Sequence, residues 1–537
     1  MDLDLLLPYL LYAETHYRFK YFFSYLRKRE PELVFDAPHR VDPGCPIPLL
    51  LLVKDADKFP CEIPRIEAGI LKEGEEQFRI AIFEGSLDFR EPMSWKLFDL
   101  DPRGLRGWIE VDVQFTIRCG PRTRCFRNDN YRTSSRRPLR VYLSDDSLPR
   151  LPDVCYGDVH THSSYTDDQV EFGAPLAPAM NLARTMGLSF FCTTDHSYDL
   201  DDSIQTYLRN DPTLPKWTAF QREVDDLNST VRDVVIVRGE EVSCRNSRGR
   251  NVHLLLLGNR TFVPGSGDSA ERWFRTKSEY SISGVLESLE TGTISIAAHP
   301  REEVPFLQRM LIGRGRWEYD DLHQPRLRGL QFPNGTLHDG FFEGKAFWIR
   351  SLLAGGKLII VGGNDSHGNF NRFRQIGIPF VKIVERSTQL FGQIRTGVLL
   401  EDQISESSIL SALAAGRCFV TDGPLCIMTV EDEGGKKMGM GETTTGTRLR
   451  CRLQVLSTPE YGTVDRLILR QGVLQSDEEE ILQEIVGSKQ YRLDTIVPVC
   501  ATTACYLRAE VSTSGGSTKS SEGHFAITNP IWIHPSP

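Results

Sequence analysis

Five short clusters of histidine and carboxylate residues each follow an apolar run, and this coincidence constrains the fold more than any other feature of the chain. They are Gly157-Asp158-Val159-His160-Thr161-His162, with Asp167 five residues further on; Thr194-Asp195-His196-Ser197; Gly239-Glu240-Glu241-Val242-Ser243; Ala298-His299-Pro300; and Gly363-Asn364-Asp365-Ser366-His367-Gly368. Alternate side chains of an extended strand share a face, so His160 and His162 can point to one side while Asp167 returns from the following loop. A single His-x-His pair can be a plain polar face. Five clusters at strand ends read instead as one site.

The apolar runs Leu188 to Cys192, Val234 to Val237, Thr293 to Ala298 and Lys357 to Val361 lack the alternation of a half-wet strand, so they predict buried parallel strands. Helix-like segments separate them: Pro175 to Met186 before Gly187, Trp217 to Val231, Ile282 to Leu289 before Gly292, and Gly340 to Leu353 before Gly355. Strand alternating with helix predicts a β/α barrel or an open α/β sheet, folds whose chemistry sits at the carboxyl ends of the strands.

With these motifs in this order, residues 153 to 380 resemble the PHP superfamily, named for polymerase and histidinol phosphatase domains. The resemblance implies an α/β fold, a distorted (β/α)7 barrel, over residues 151–400. Carried over position by position, it implies the metal ligands His160, His162, Asp167, His196, Glu241, His299, Asp365 and His367. It adds His253, in Asn251-Val252-His253-Leu254-Leu255-Leu256-Leu257-Gly258, where the histidine opens the apolar run instead of closing it. Asp168 beside Asp167 and Glu240 beside Glu241 leave the choice within each acidic pair open.

The chain has twelve histidines, and six of them fall on these positions within about two fifths of its length. Nine ligands exceed the needs of one ion, so two or three divalent cations are expected, with Glu241 and Asp365 suited to bridging. Imidazole and carboxylate donors without thiolate suit zinc, manganese or iron. Such ions lower the pKa of a bound water and polarise a substrate oxygen, which makes hydrolysis the natural reaction class and attack of a metal-bound hydroxide on a small phosphate ester the first expectation. Arg301 is the best-placed anion clamp and catalytic candidate; Arg372 and Arg374 follow, and Asn334 and His338 could touch substrate.

The flanks point to a second chemistry. Residues 1–150 hold an amphipathic opening from Leu3 to Leu26, then strand candidates at Ile47 to Val53, Phe78 to Phe83, Trp108 to Ile117 and Leu139 to Leu143. Residues 401–537 repeat the texture at Arg417 to Val420, Arg448 to Leu456, Val464 to Leu469, Tyr506 to Val511 and Ala526 to Ile533. Both read as β-sandwich-like domains. This layout, with Gly416 to Pro424 after the barrel and Thr528-Asn529-Pro530-Ile531 at the end, looks like the CehA/McbA family of metallohydrolases, which includes carbamate-ester hydrolases. Carbamate, ester or amide hydrolysis is therefore the alternative, kept alive by Phe306, Trp317, Phe332 and Phe341 as pocket candidates. A noncatalytic metal-binding scaffold is the third reading, disfavoured because no expected ligand is replaced.

Composition excludes little but narrows the partners. A formal charge of −9 disfavours an obligate nucleic-acid partner, and Pro8 interrupts the leucines near the amino end, so no membrane span is expected. The twelve cysteines show no Cys-x-x-Cys repeat; reduced thiols and a cytoplasmic setting are the default, and Cys155 and Cys192 are excluded as ligands. There is no phosphate loop, dinucleotide fingerprint or nucleophile elbow. The expected partner is a small-molecule substrate, and a homo-oligomer is compatible with everything above.

Overall fold

The computed structural model describes residues 30–130, 137–166, 173–269, 277–372, 375–378, 381–384, 388–518 and 523–536. The opening segment Leu3 to Leu26, Asp167, Asp168 and Arg374 lie outside them.

The strand Ile47–Lys54 reads IPLLLLVK because both of its faces are covered. Ile47, Leu49, Leu51 and Val53 enter the N-terminal core, whereas Leu50 and Leu52 join the cluster holding Met180, Leu182 and Met186, on and just after the helix Leu176–Thr185. Two sheets enclose the N-terminal core. One orders Glu32–Asp36, Ile47–Lys54 and Met93–Leu100; the other orders Arg40–Val41, Leu139–Leu143, Gly107–Cys119, Cys61–Lys72 and Glu75–Phe89, with Arg122–Arg127 beside Gly107–Cys119.

The central region does not have the expected distorted (β/α)7 barrel. The described residues form 32 strands against seven α-helices, and the architecture is mixed and predominantly β. Val154–Thr161, Phe190–Thr193 and Val235–Arg245 run parallel. Asn251–Leu257 then lies antiparallel to both Val235–Arg245 and Ile294–Ala298, after which Leu327–Gln331 and Ile359–Ile360 are parallel again. The sheet path continues past Val154–Thr161 through antiparallel Arg395–Leu399 and Cys418–Thr421 into the C-terminal strands. The physical reason is the short link at residues 246–250. A parallel return needs a crossover of a dozen residues or more, so this link can only close a hairpin. An apolar run buried on both faces does not reveal the direction in which it pairs.

Helices Leu176–Thr185, Pro215–Thr230, Ile282–Ser288 and Asp339–Leu353 intervene between other central strands. Apolar residues from these strands, with Ile409, Ala412 and Leu413 of the helix Glu406–Ala415, form one dry cluster. At the C-terminal side, Asn529 stands in for a strand partner: its Oδ1 accepts from Ile360 N at 2.7 Å, and its Nδ2 donates to the carbonyls of Ile360 and Cys418 at 3.0 Å each. Arg40, 3% exposed, donates to Glu460 at 2.8 Å and to the Met186 carbonyl at 3.1 Å, and also pairs with Asp42. No helix among the described residues is long and apolar enough to cross a membrane.

A partly buried ion network, with Arg508 fully buried, joins the helix Asp339–Leu353 to the strand Cys505–Ser514. Arg508 Nη1 lies 2.5 Å from Glu510 Oε1, and Lys345 Nζ lies 2.6 Å from Glu510 Oε2. Burial opposes the charged form of Glu510, but Arg508 and then Lys345 outweigh it and hold the carboxyl at about 2. A carboxyl held below its ordinary 4.5 contributes stability above about pH 4.5 and loses it as pH falls toward 2. E510Q should therefore be less stable at pH 7, by about 3 kcal/mol for a broken buried pair. The gap from the parent should narrow as urea melts are taken from pH 5 down to 3; a gap independent of pH would refute this assignment.

Candidate metal centre

Main-chain hydrogen bonds first tie the polar loops together. Asp365 N donates to His160 O (2.8 Å), His162 N to Ser366 O (2.8 Å), Thr194 N to Thr161 O (2.8 Å) and Glu241 N to Asp195 O (3.0 Å). Gly363 allows this approach, since a Cβ there would stand 2.6 Å from His160 Cβ. Two candidate ligands hold left-handed backbone that costs a non-glycine residue: His299 has φ 26° and Asp365 has φ 52°. Their neighbours hold them there, with His299 N donating to Gln331 Oε1 (3.1 Å) and Gln389 Nε2 donating to Asp365 Oδ2 (3.0 Å).

Eight of the nine expected ligands converge; Asp167 is the ninth and lies outside the described residues. Glu241, 1% exposed, is the hub. Its Oε1 lies 2.8 Å from His253 Nδ1, 3.2 Å from His299 Nε2 and 3.5 Å from His160 Nε2. Its Oε2 lies 3.1 Å from His196 Nδ1 and 3.5 Å from His162 Nε2. Asp365 Oδ1 lies 3.1 Å from His162 Nε2 and 3.3 Å from His160 Nε2. The His162 and His367 rings stack at 4.1 Å. Donor atoms fall into three interlocking groups: His162, His196 and His367; His160, His162, Glu241 and Asp365; and Glu241, His253 and His299.

These residues fit a metal centre on their own chemistry. Neither ring nitrogen of His196 has a hydrogen-bond partner among the described residues, nor has His253 Nδ1 or Glu241 Oε2, despite the short distances above. Buried polar atoms without partners are costly, and donor atoms that converge this closely could hold a cation between them. The protonation pattern agrees. Burial opposes the charged form of His160, yet Asp365 and Glu241 outweigh it and raise it to about 9; Glu241 and then Asp268 likewise raise His253 to about 10. His162 is held well below its ordinary value by burial and by His367 and His196. The cluster thus attracts positive charge that its crowded rings cannot all carry as protons.

An apolar floor keeps water out. Val235 and Val237 share a face with Glu241, and Leu255 and Leu257 share one with His253. All four belong to the dry cluster, together with Cys155 and Cys192. Glu240 takes the opposite face, accepts from Asn259, Val263 N and Ser197, and is raised to about 8 by burial. Asp195 accepts from Ser163, Thr166 and Thr193, so it braces the loop after His162 and leaves His196 to face the centre.

The expected substrate residues sit differently. Arg301 donates to the Trp317 carbonyl (3.2 Å) and Glu343 (3.3 Å) and lies over the Phe347 ring. Arg372 donates to the Arg137 carbonyl and lies 3.5 Å from Asp129, while its main-chain N–H donates to Asp36 at 2.9 Å. Asn334 accepts from Gln331 (3.0 Å) and donates to Glu302 (2.8 Å). His338 Nδ1 accepts from Gly340 N at a helix start, 3.5 Å from Glu302 by its other nitrogen. Sequence reasoning missed Gln331, whose Oε1 lies 3.3 Å from His160 Nδ1, and Asp268, which accepts from His253 Nε2 at 2.9 Å and from Ser243. Gln331 ends a strand and could have been found on that ground; Asp268 follows no apolar run and carries no such signal.

No protein-family model matches the chain, and no curated protein matches it. Solved structures with some likeness include trypsin-activated α-2-macroglobulin from Escherichia coli, at 10% identity over 98% of this chain and 25% of that one, with a TM-score of 0.16. A glycosyl hydrolase family 2 member from Bacteroides cellulosilyticus shares 10% identity over 94% and 63%, with a TM-score of 0.16. The Bacteroides uniformis β-glucuronidase 2 shares 7% over 96% and 62%, with a TM-score of 0.19. The chain spans about a quarter of the macroglobulin and under two thirds of each glycosidase. At these scores the likeness carries no inference about fold or chemistry.

H162A and D365A should each lower bound metal, measured by plasma mass spectrometry, while far-ultraviolet circular dichroism keeps the strand signal of the flanking sheets. Metal content unchanged in both would sink the ligand assignment. Q331L leaves the ligands intact but frees the His160 ring, and should weaken metal affinity roughly 10- to 100-fold in a chelator competition.

Proposed function

We propose that this chain is a polynuclear metal-dependent hydrolase. The carrying observation is Glu241, a single buried carboxylate whose two oxygens face five imidazoles, with Asp365 completing the adjoining group. Divalent zinc, manganese or iron bound there would polarise a substrate oxygen and bring a bound water's pKa toward neutrality. The protein's own part is preorganisation: Gln331 sets the His160 ring, Asp268 holds His253 Nε2 so that Nδ1 faces Glu241, and the apolar floor excludes bulk water. The motif order that resembles the PHP superfamily supports a small phosphate ester as the substrate.

Hydrolysis of a carbamate, ester or amide is the second reading, favoured by one observation. Arg301 and Arg372 both spend their guanidinium groups away from the cluster, so neither is the phosphate clamp that a phosphatase of this kind needs. The scaffold reading has no such support, because all eight described ligand positions carry coordinating side chains turned to one centre.

The purified chain is expected to carry two or three divalent ions, in line with its three donor groups. It should hydrolyse p-nitrophenyl phosphate or bis(p-nitrophenyl) phosphate, with activity lost to a chelator and restored by zinc or manganese. Cleavage of 1-naphthyl N-methylcarbamate alone would promote the second reading. A chain that takes up metal but cleaves none of the three probes would be the noncatalytic scaffold, and one that takes up no metal would refute the metal-centre reading itself.

A further inference from the structure

Cys61 opens the strand Cys61–Lys72, Cys119 closes the strand Gly107–Cys119, and these two strands pair antiparallel. Glu62 stands opposite Arg118 in that register, so the next position outward sets Cys61 opposite Cys119. The ion pair between Arg118 Nη1 and Glu62 Oε1 (3.2 Å) marks the same register on the outer face. Strand alternation turns both cysteines the other way. Cys61 is in phase with buried Ile63, Cys119 is in phase with buried Ile117 and Phe115, and both pack against the N-terminal core. Their thiols meet there in a hydrogen bond, with Cys61 donating to the Cys119 sulfur.

Residues opposite each other in an antiparallel pair have Cα atoms about 4.5 or 5.5 Å apart, and a disulfide spans Cα atoms about 4.4–6.8 Å apart. The two thiols can therefore be joined with no change of register. The ladder is interrupted close to this end: one extra residue of Cys61–Lys72 shifts the pairing between Glu62 and Arg65, and Pro64 in that interval has no N–H to donate. A covalent tie would hold the strand ends where the hydrogen bonds do not.

The two thiols differ in access and in acidity. Cys61 is 5% exposed, whereas Cys119 is half-buried. The hydrogen bond from Cys61 draws the Cys119 thiol below its ordinary value, against burial and Glu30 and with help from the Arg124 guanidinium; the same bond, aided by burial, pushes Cys61 up. Cys119 is thus the thiol that an oxidant meets first, with Cys61 behind it as the resolving group. Cys125, nearer to Cys119 in sequence, is exposed and stands opposite Thr116 on the outward face, so it is not the partner.

We propose that Cys61 and Cys119 form a redox-active dithiol, oxidised to a cross-strand disulfide by a small-molecule disulfide such as that of glutathione. The Cys119 sulfur attacks one sulfur of the oxidant and breaks its S–S bond, and the first leaving thiolate takes up the Cys119 proton. The Cys61 sulfur then attacks Cys119, and its proton goes to the second leaving thiolate. The oxidant gains two electrons and becomes two thiols, while the protein loses two S–H bonds and gains one S–S bond. Neither thiol belongs to the metal centre, so this chemistry is independent of the hydrolase reading.

The test holds the full chain in excess glutathione disulfide, quenches it with N-ethylmaleimide and maps its peptides by non-reducing mass spectrometry. A Cys61–Cys119 peptide should account for most of Cys61 and vanish on treatment with dithiothreitol. C61S should stop at a glutathione adduct on Cys119, because the resolving thiol is gone, whereas C119S should lower oxidation of Cys61 at least about 10-fold. Absence of the Cys61–Cys119 peptide from the parent, or a lasting glutathione adduct on its Cys119, would overturn the dithiol, and the parent map decides even where a variant does not fold.

Discussion

The buried carboxylate of Glu241 is the constraint around which the central region is arranged. Taking a charge out of water is expensive unless opposite charge or donors surround it, and here the surroundings are five imidazoles from four different segments of chain. His160, His162, His196, His253 and His299 reach it only because their loops are tied to one another by main-chain hydrogen bonds and their strands stand on a common apolar floor. The packing and the chemistry are one arrangement: if the floor were loosened, the imidazoles would lose the geometry that makes them a cluster.

Much of this centre could be read from residue order. A polar residue that ends an apolar run lies at a strand end, and five such ends in about two fifths of the chain imply a shared location, so seven of the eight described ligands were visible as types and spacings, while His253 came only from the family resemblance. The acidic pair Glu240-Glu241 needed the structure, since only strand alternation decides which carboxylate turns toward the imidazoles. Helix positions were legible from glycine stops and apolar periodicity; the helix Asp339–Leu353 ends where Gly355 follows. What stayed hidden were supports with no local signature. Gln331 and Asp268 act through contacts across 171 and 15 residues of chain respectively.

Strand direction was the feature that sequence texture misrepresented. A fully buried strand is apolar throughout, whichever way it runs, so the texture of the Asn251–Leu257 segment carried no sign of its direction. Its antiparallel course explains the detail that set His253 apart. A residue that must reach the end where parallel neighbours finish has to stand at the beginning of a strand that runs the other way, and Ser243 pairs with His253 in that register. The unusual position of this histidine was thus a sign of reversed direction, and with it of a mixed sheet in place of an all-parallel barrel.

The side chain of Asp36, at the end of the strand Glu32–Asp36, accepts hydrogen bonds from the main-chain N–H groups of Phe370 (3.0 Å) and Arg372 (2.9 Å). That loop follows His367 by only three residues, so the N-terminal sheets serve as an abutment for the ligand loop. A flank of this kind is not freely exchangeable cargo: its first strand carries part of the thrust that keeps the last ligand in line, and the central region would not keep its working shape if grafted onto a different neighbour.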